Sequence, residues 1–189
     1  MHDDDRELVR RCLAHDQSAM IEFVQRFRDA VFRLCFRMLA QRQDAEDAAQ
    51  ETFVRALRSL SRWDSQRPVL PWLLAIAGNR CRTALAARRR RPVASGLAEE
   101  ECPDRSHELQ AARNLAEEVQ AALDLLRPEY RGAFVLFHEQ ELSCDEIARV
   151  LGRPAGTIKT WIRRARQELI ARLRRRDVLQ ESRSAMRGI

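Results

Sequence analysis

Lys159, Thr160, Arg163, Arg164 and Gln167 are the side chains of this chain best suited to recognising another molecule. An arginine fork pairs with two acceptors on a guanine edge in the major groove of DNA, and a hydroxyl or amide reads other base edges. A helical wheel at about 100° per residue sends Thr160, Arg163, Arg164 and Gln167 to one side of a helix. Ile158, Ile162, Ala165 and Leu169 fall on the other, with Lys159 and Arg166 flanking the polar face. An arginine-rich amphipathic helix is by itself an ordinary solvated surface, so the preceding segment decides. In LSCDEIARVLGRPAGTIKTWIRRARQELIARL, residues 142–173, Ser143 and Glu146 are spaced as a capping box, Gly152 stops a first helix and Pro154 opens a second. Ala148, Gly152 and Ile158 supply the small residue, the turn and the buried branched residue that let two helices cross closely. The pattern predicts a helix-turn-helix whose second helix faces DNA.

Nothing comparable points to catalysis. His2, His15, His107 and His138 are isolated, and no serine or cysteine sits in a recognisable nucleophile pattern. Glu46 and Asp47 fall on an exposed helix without a metal-ligand partner. No enzyme, cofactor or metal is therefore expected, and His138, beside Phe134 and Phe137, reads as a partly buried helix residue. Cys12, Cys35, Cys81, Cys102 and Cys144 form no CxxC pair, and an odd, scattered set argues for a reducing compartment. The first three lie in apolar helical surroundings that predict burial. There is no apolar run of the ~20 residues a membrane span requires, and MHDDDRE is acidic rather than signal-like. A cytoplasmic location without membrane insertion is expected.

The elements that must carry these side chains are helical throughout. The 189 residues, 45% hydrophobic and 33% charged, suit one large domain or two small ones. Of 34 basic residues only Lys159 is a lysine, so the positive charge sits on guanidinium groups that pair well with phosphates and carboxylates. Formal charge is +6 over residues 1–92, −5 over 93–122 and +5 over 123–189, two basic bodies joined by an acidic strap. Periodicity predicts a helix over 5–14, a long helix from Asp16 or Ser18 carrying Ile21, Val24, Phe27, Val31, Leu34, Cys35 and Met38, and a third from an Asp44 cap to about Leu60. In the third, Ala45, Ala48, Ala49, Thr52, Phe53, Ala56, Leu57 and Leu60 face inward, and Glu46, Asp47, Gln50 and Glu51 do not. A fourth helix opens at Pro71 and ends in four arginines. Residues 93–107 have the small, acidic, proline-bearing composition of a flexible linker. Helices over 108–126 and from Pro128 lead into the helix-turn-helix, and the chain frays after Arg174, Arg175 and Arg176. The fold class is all-α: residues 1–92, a linker at 93–107, a second domain at 108–175 ending in a helix-turn-helix, and a tail at 176–189.

In order and spacing, DAEDAAQETFVRAL, PWLLAIAGNRCRTALAARRRRP and LSCDEIARVLGRPAGTIKTWIRRARQEL resemble the two regions of bacterial extracytoplasmic-function (ECF) sigma factors, the smallest members of the sigma-70 family. The resemblance implies that the first domain binds core RNA polymerase and opens the minus-ten promoter element, while the second reads the minus-thirty-five element. It places core-polymerase binding on Asp47, Gln50 and Glu51, where carboxylates on an outward helix face set encounter and register with a basic partner. It places minus-ten recognition on Trp63 and on Asn79, Arg80 and Arg82, stacking on a flipped base contributing about 1–3 kcal/mol. Trp63 reads equally well as core, and Trp72, within the apolar run PWLLAI, reads better as core. Pro68, Val69, Leu70 and Pro71 replace the family's serine-phenylalanine-arginine-threonine. The resemblance assigns minus-thirty-five contacts to Lys159, Thr160, Arg163 and Arg164; Trp161 replaces a family arginine and packs on the first helix of the motif or on the DNA backbone. Glu99, Glu100, Glu101 and Asp104 either mimic nucleic acid in the polymerase's RNA path or solubilise a tether. The resemblance also implies promoter DNA and an anti-sigma factor as partners, and a monomer. An autonomous helix-turn-helix regulator would instead dimerise over half-sites about one DNA turn apart, and no dimerisation segment is evident.

Overall fold

The computed structural model describes residues 2–90 and 117–187, and its regular elements among those residues are all helical. They are α1 His2–Leu13, α2 Gln17–Leu39, α3 Arg42–Ser59, a 3-10 turn Leu60–Arg62 and α4 Val69–Arg90. Then come α5 at 117–124, α6 Pro128–His138, α7 Cys144–Leu151 and α8 Ala155–Arg187. The expected linker at 93–107, its acidic residues and Cys102 lie outside the described residues, as do 108–116 of the expected helix. α8 does not fray after the arginine run but continues as helix to Arg187.

Asp16 starts α2 as its side chain accepts from the backbone N–H of Ser18 and of Ala19, at 2.9 and 3.2 Å. These are donors no helical carbonyl satisfies. The bonds from Ser18, then from Arg11 and Ala19, hold the Asp16 carboxyl well below the usual carboxylate range. Ala19 and Phe23 join Phe27, Val31, Leu34, Cys35 and Met38 in the core, whereas Ile21, expected inside, is 53% exposed and Val24 is half-buried. Phe23 lies edge-on to Phe27 and to Phe53 of α3, with ring centroids at 5.0 and 6.5 Å, the arrangement aromatic quadrupoles favour. The free thiol of Cys35 on α2 is hydrogen-bonded with that of Cys81 on α4, and this contact together with burial raises its pKa. Cys12, Cys35 and Cys81 are all buried, as their surroundings predict.

α3 buries the expected Ala45, Ala48, Ala49, Thr52, Phe53 and Ala56. Thr52 is tolerated there since its hydroxyl donates to the Ala48 carbonyl at 2.7 Å. Its cap differs from expectation. The N-cap is Gln41, with no side-chain bond, and Asp44 sits in the first turn, where a carboxylate still complements the helix dipole. α4 likewise starts before Pro71, at Val69. A proline within a first turn lacks an N–H that would have had no helical acceptor. In the second domain Ser143 and Glu146 form the complete capping box of α7, and Gly152 ends it at φ 62°, a left-handed turn that favours glycine. Ile147 and Val150 of α7 and Ile158, Ile162 and Ala165 of α8 then share a core with Leu123, Tyr130 and Leu136.

The two domains are packed on one another, α7 against α4 and α6 against the end of α2. Arg37 of α2 reaches both α6 and α5: its Nε lies 2.8 Å from a carboxylate oxygen of Glu139, the residue that ends α6, and its guanidinium donates to Gln120 at 3.0 Å. In sequence these residues look like solvated surface charges.

Candidate nucleic-acid interface

α8 presents the expected face. Ile158, Ile162 and Ala165 are buried and Leu169 packs on the core, leaving Lys159, Arg163, Arg164 and Gln167 exposed and Thr160 half-buried. Thr160 donates its hydroxyl to the Gly156 carbonyl at 3.0 Å. Arg164 donates to the Tyr130 hydroxyl at 2.9 Å, a bond that raises the guanidinium pKa further. Tyr130 thereby holds one candidate base-reading fork in place. Trp161 is half-buried against the core, with its ring 6.4 Å from that of Tyr130 on α6. Arg166 turns away from the face: its Nε donates to His138 at 3.1 Å and its guanidinium lies 5.4 Å from the Phe137 ring. His138 is accordingly a packed helix residue, 4.4 Å from Phe134, with its pKa lowered by burial and then by Arg166.

In the first domain Asp47, Gln50 and Glu51 all stand exposed on α3, and Val54 continues that face at 47% exposure. Glu46, beside them, pairs with Arg42 at 2.9 Å. Glu51 is bound to Arg80 of α4 and lies 3.6 Å from Arg55. The candidate polymerase face and the candidate DNA helix therefore share one ion pair. Asn79 is exposed and accepts from Arg82. Arg82 is half-buried, and desolvation, with Arg153 of the other domain adding to it, lowers its pKa against the opposing pull of Cys81 and Glu129.

Trp63 lies in a short loop between the 3-10 turn and α4. Asp64 folds this loop by accepting from the Gln66 N–H at 3.0 Å and by pairing with Arg67 at 3.1 Å. Trp63 and Trp72 line a cavity of about 280 Å³ together with Arg62 and Arg67, closed on its far side by Glu146 and Arg149 of α7. The Trp63 indole N–H is buried and has no acceptor among the described residues. Both tryptophans are partly buried and pack against the hydrophobic core. One feature escaped the sequence reading: an almost wholly apolar groove of about 320 Å³ lined by Val119, Ala122, Phe134, Leu169 and Ile170 of α5, α6 and α8. Its signal is Ile170, an exposed apolar residue beside Leu169 and about 120° round the helix from Ile158.

Residues 23–91 match the profile of sigma-70 region 2, and residues 116–169 that of sigma-70 region 4. The ECF RNA polymerase sigma factor SigW of Bacillus subtilis is 32% identical over 182 residues, covering 89% of this chain and 96% of its own. The chain belongs to the ECF sigma factors of the sigma-70 family. Such a sigma factor works with RNA polymerase to direct initiation at promoters, and its two matched regions correspond to α2–α4 and to α5–α8. Among solved structures, CnrH in complex with the cytosolic domain of CnrY aligns with TM-score 0.69 and 28% identity over 89% of this sigma factor and 96% of that chain. RpoE of Bartonella quintana, solved with the anti-sigma factor NepR, shares the fold at TM-score 0.65 and 23% identity over 81% and 97% of the two chains. No helix among the described residues of this sigma factor is long and apolar enough to cross a membrane.

Proposed function

We propose that residues 1–92 bind core RNA polymerase and open the minus-ten element, and that residues 108–175 read the minus-thirty-five element. Asp47, Gln50 and Glu51 meet a basic surface of the polymerase; Trp63, Asn79, Arg80 and Arg82 hold the opened minus-ten strand; Lys159, Thr160, Arg163 and Arg164 contact the minus-thirty-five duplex. The observation that carries this assignment is the division of exposed charge, with carboxylates on α3 of the first domain and cations on α8 of the second. A local acidic face on α3 of an otherwise basic domain, set apart from the basic face of α8, suits a protein that bridges a basic protein surface and a polyanion. The chain does no chemistry of its own, acts in the cytoplasm as a monomer, and is held inactive by an anti-sigma factor. Support for that last partner comes from the two structural neighbours, solved with the cytosolic domain of CnrY and with NepR.

Gel filtration of the full chain with bacterial core polymerase, followed by runoff transcription from the promoter of its own gene, tests the reading. One chain is expected to elute with each core enzyme and to yield a discrete transcript that neither component produces alone. Failure to co-elute ends the proposal.

A further inference from the structure

Glu51 stands on the face proposed to meet polymerase, and Arg80 on the helix proposed to meet DNA, 29 residues apart in sequence yet bound to each other. Arg80 is mostly withdrawn, its side chain 22% exposed against 47% for Glu51. Its Nε is buried and has no acceptor among the described residues. The guanidinium thus makes one ion pair while a second donor goes unused. Glu51 gives this fork one oxygen while its other faces Arg55, whereas a phosphate or base edge offers two acceptors at once, so nucleic acid is the better partner once the carboxylate lets go. A cationic surface arriving at Glu51 makes it let go, since Arg55 and Arg80 already share that carboxylate and a third cation repels them both.

We propose that Glu51 is a positioning residue that restrains Arg80 until polymerase engages α3, coupling core binding to release of a DNA-binding side chain. The inference rests on the assignment of Glu51 to polymerase and Arg80 to DNA made above. Coupling of this kind is reciprocal: if a polymerase cation and Arg80 compete for one carboxylate, removing either must favour the other's partner.

Two measurements on the full chain test it. Glu51→Gln keeps shape and removes charge at an exposed site, so folding is preserved and is checked by circular dichroism. Fluorescence anisotropy with a labelled single-stranded 12-nucleotide DNA of mixed sequence is expected to show Glu51→Gln binding about two- to fivefold tighter than the parent, the range of a solvent-accessible ion pair. The gain should vanish in Glu51→Gln/Arg80→Gln. Conversely, Arg80→Gln is expected to tighten the complex with core polymerase, in the absence of DNA, by a similar factor. Unchanged DNA affinity in Glu51→Gln, with Arg80→Gln weakening DNA binding, overturns the restraint but leaves Arg80 as a DNA contact. If Arg80→Gln leaves DNA binding untouched in both backgrounds, the assignment of Arg80 itself is wrong and the restraint falls with it.

Discussion

The guanidinium of Arg131 donates to the carbonyl oxygen of Met38 at 2.8 Å, so an arginine of α6 caps the last turn of α2 in the other domain. Carbonyls at a helix C-terminus lack an intrahelical partner, and here a cation supplies one. Arg131 is 6% exposed; it also donates to the Asp124 carbonyl at 2.6 Å and lies 3.0 Å from the Asp124 carboxylate. Burial lowers its pKa, and Asp124 opposes that shift. Next to it, a Cβ on Gly132 would lie 3.3 Å from the Met38 sulfur, a closeness only glycine permits without movement of that side chain. Arg131→Ala strips partners from both oxygens, and leaving such groups unsatisfied costs about 1–3 kcal/mol each. Urea unfolding is expected to show that loss, and small-angle scattering a larger radius of gyration. A variant as compact and as stable as the parent would show that Arg131 does not hold the domains together.

The contact between domains bears directly on promoter recognition. Elements named for positions minus ten and minus thirty-five lie about 25 base pairs apart, or roughly 85 Å at about 3.4 Å per base pair. On the proposed assignment, a protein whose α4 and α7 touch does not span that distance, so the domains are expected to part when both elements are bound. The Arg37–Glu139 pair, with side chains 22% and 24% exposed, is the place to test this without disturbing either domain's core. Arg37→Glu sets like charges against each other and is expected to favour the open form by about 1 kcal/mol. A closed population that must open reduces apparent affinity, so promoter complexes with core polymerase should form more readily. Glu139→Arg added to Arg37→Glu restores the pair and should restore the parent's scattering profile and affinity. Absence of that rescue would mean the first change acted by damaging α2.

How much of this was legible in sequence follows from the range of the forces involved. The capping box at Ser143 and Glu146, the glycine stop at Gly152 and the Ile158 stripe are local, set within a few residues, and they stand where spacing puts them. The exposed Asp47, Gln50 and Glu51 were equally legible, being the complement of an alanine-rich buried face. Ile21 is exposed because it falls about 120° round the helix from Phe27, off the stripe of Phe27, Val31, Leu34 and Met38, and the start of α3 differs because several polar residues compete for the cap position. The pairs Glu51 with Arg80, Arg164 with Tyr130 and Arg131 with Met38 join residues 29, 34 and 93 apart. No periodicity encodes such partners, as each side chain alone is an ordinary surface charge.

The α7 cap gives a pH dependence with a definite sign. Bonds from the Ser143 hydroxyl and backbone N–H, opposed by partial burial and aided by Arg149, lower the Glu146 pKa from its ordinary 4.5. A carboxyl whose folded pKa is depressed adds stability that is present above its unfolded value and is lost as pH falls through the folded one. Thermal stability of the second domain should therefore fall below about pH 4.5 partly through this group. Ser143→Ala is expected to cost about 1 kcal/mol at neutral pH and to flatten that acid limb. An identical acid limb in parent and variant would remove Glu146 from the account.

Arg164 offers the sharpest test of base reading. Its fork is exposed on α8 while one nitrogen is held by the Tyr130 hydroxyl, and holding a long side chain in one geometry lowers the ordering cost of binding. Arg164→Ala is expected to weaken binding to a minus-thirty-five duplex by about 1–3 kcal/mol and to relax preference at one base position. Tyr130→Phe keeps the ring against Trp161 but frees the guanidinium, so it should lose less affinity than Arg164→Ala and leave the preferred base unchanged. Anisotropy with duplexes substituted at each position in turn measures both quantities. If Arg164→Ala binds every duplex as the parent does, the arginine faces solvent or polymerase instead, and the recognition surface shrinks to Lys159, Thr160 and Arg163.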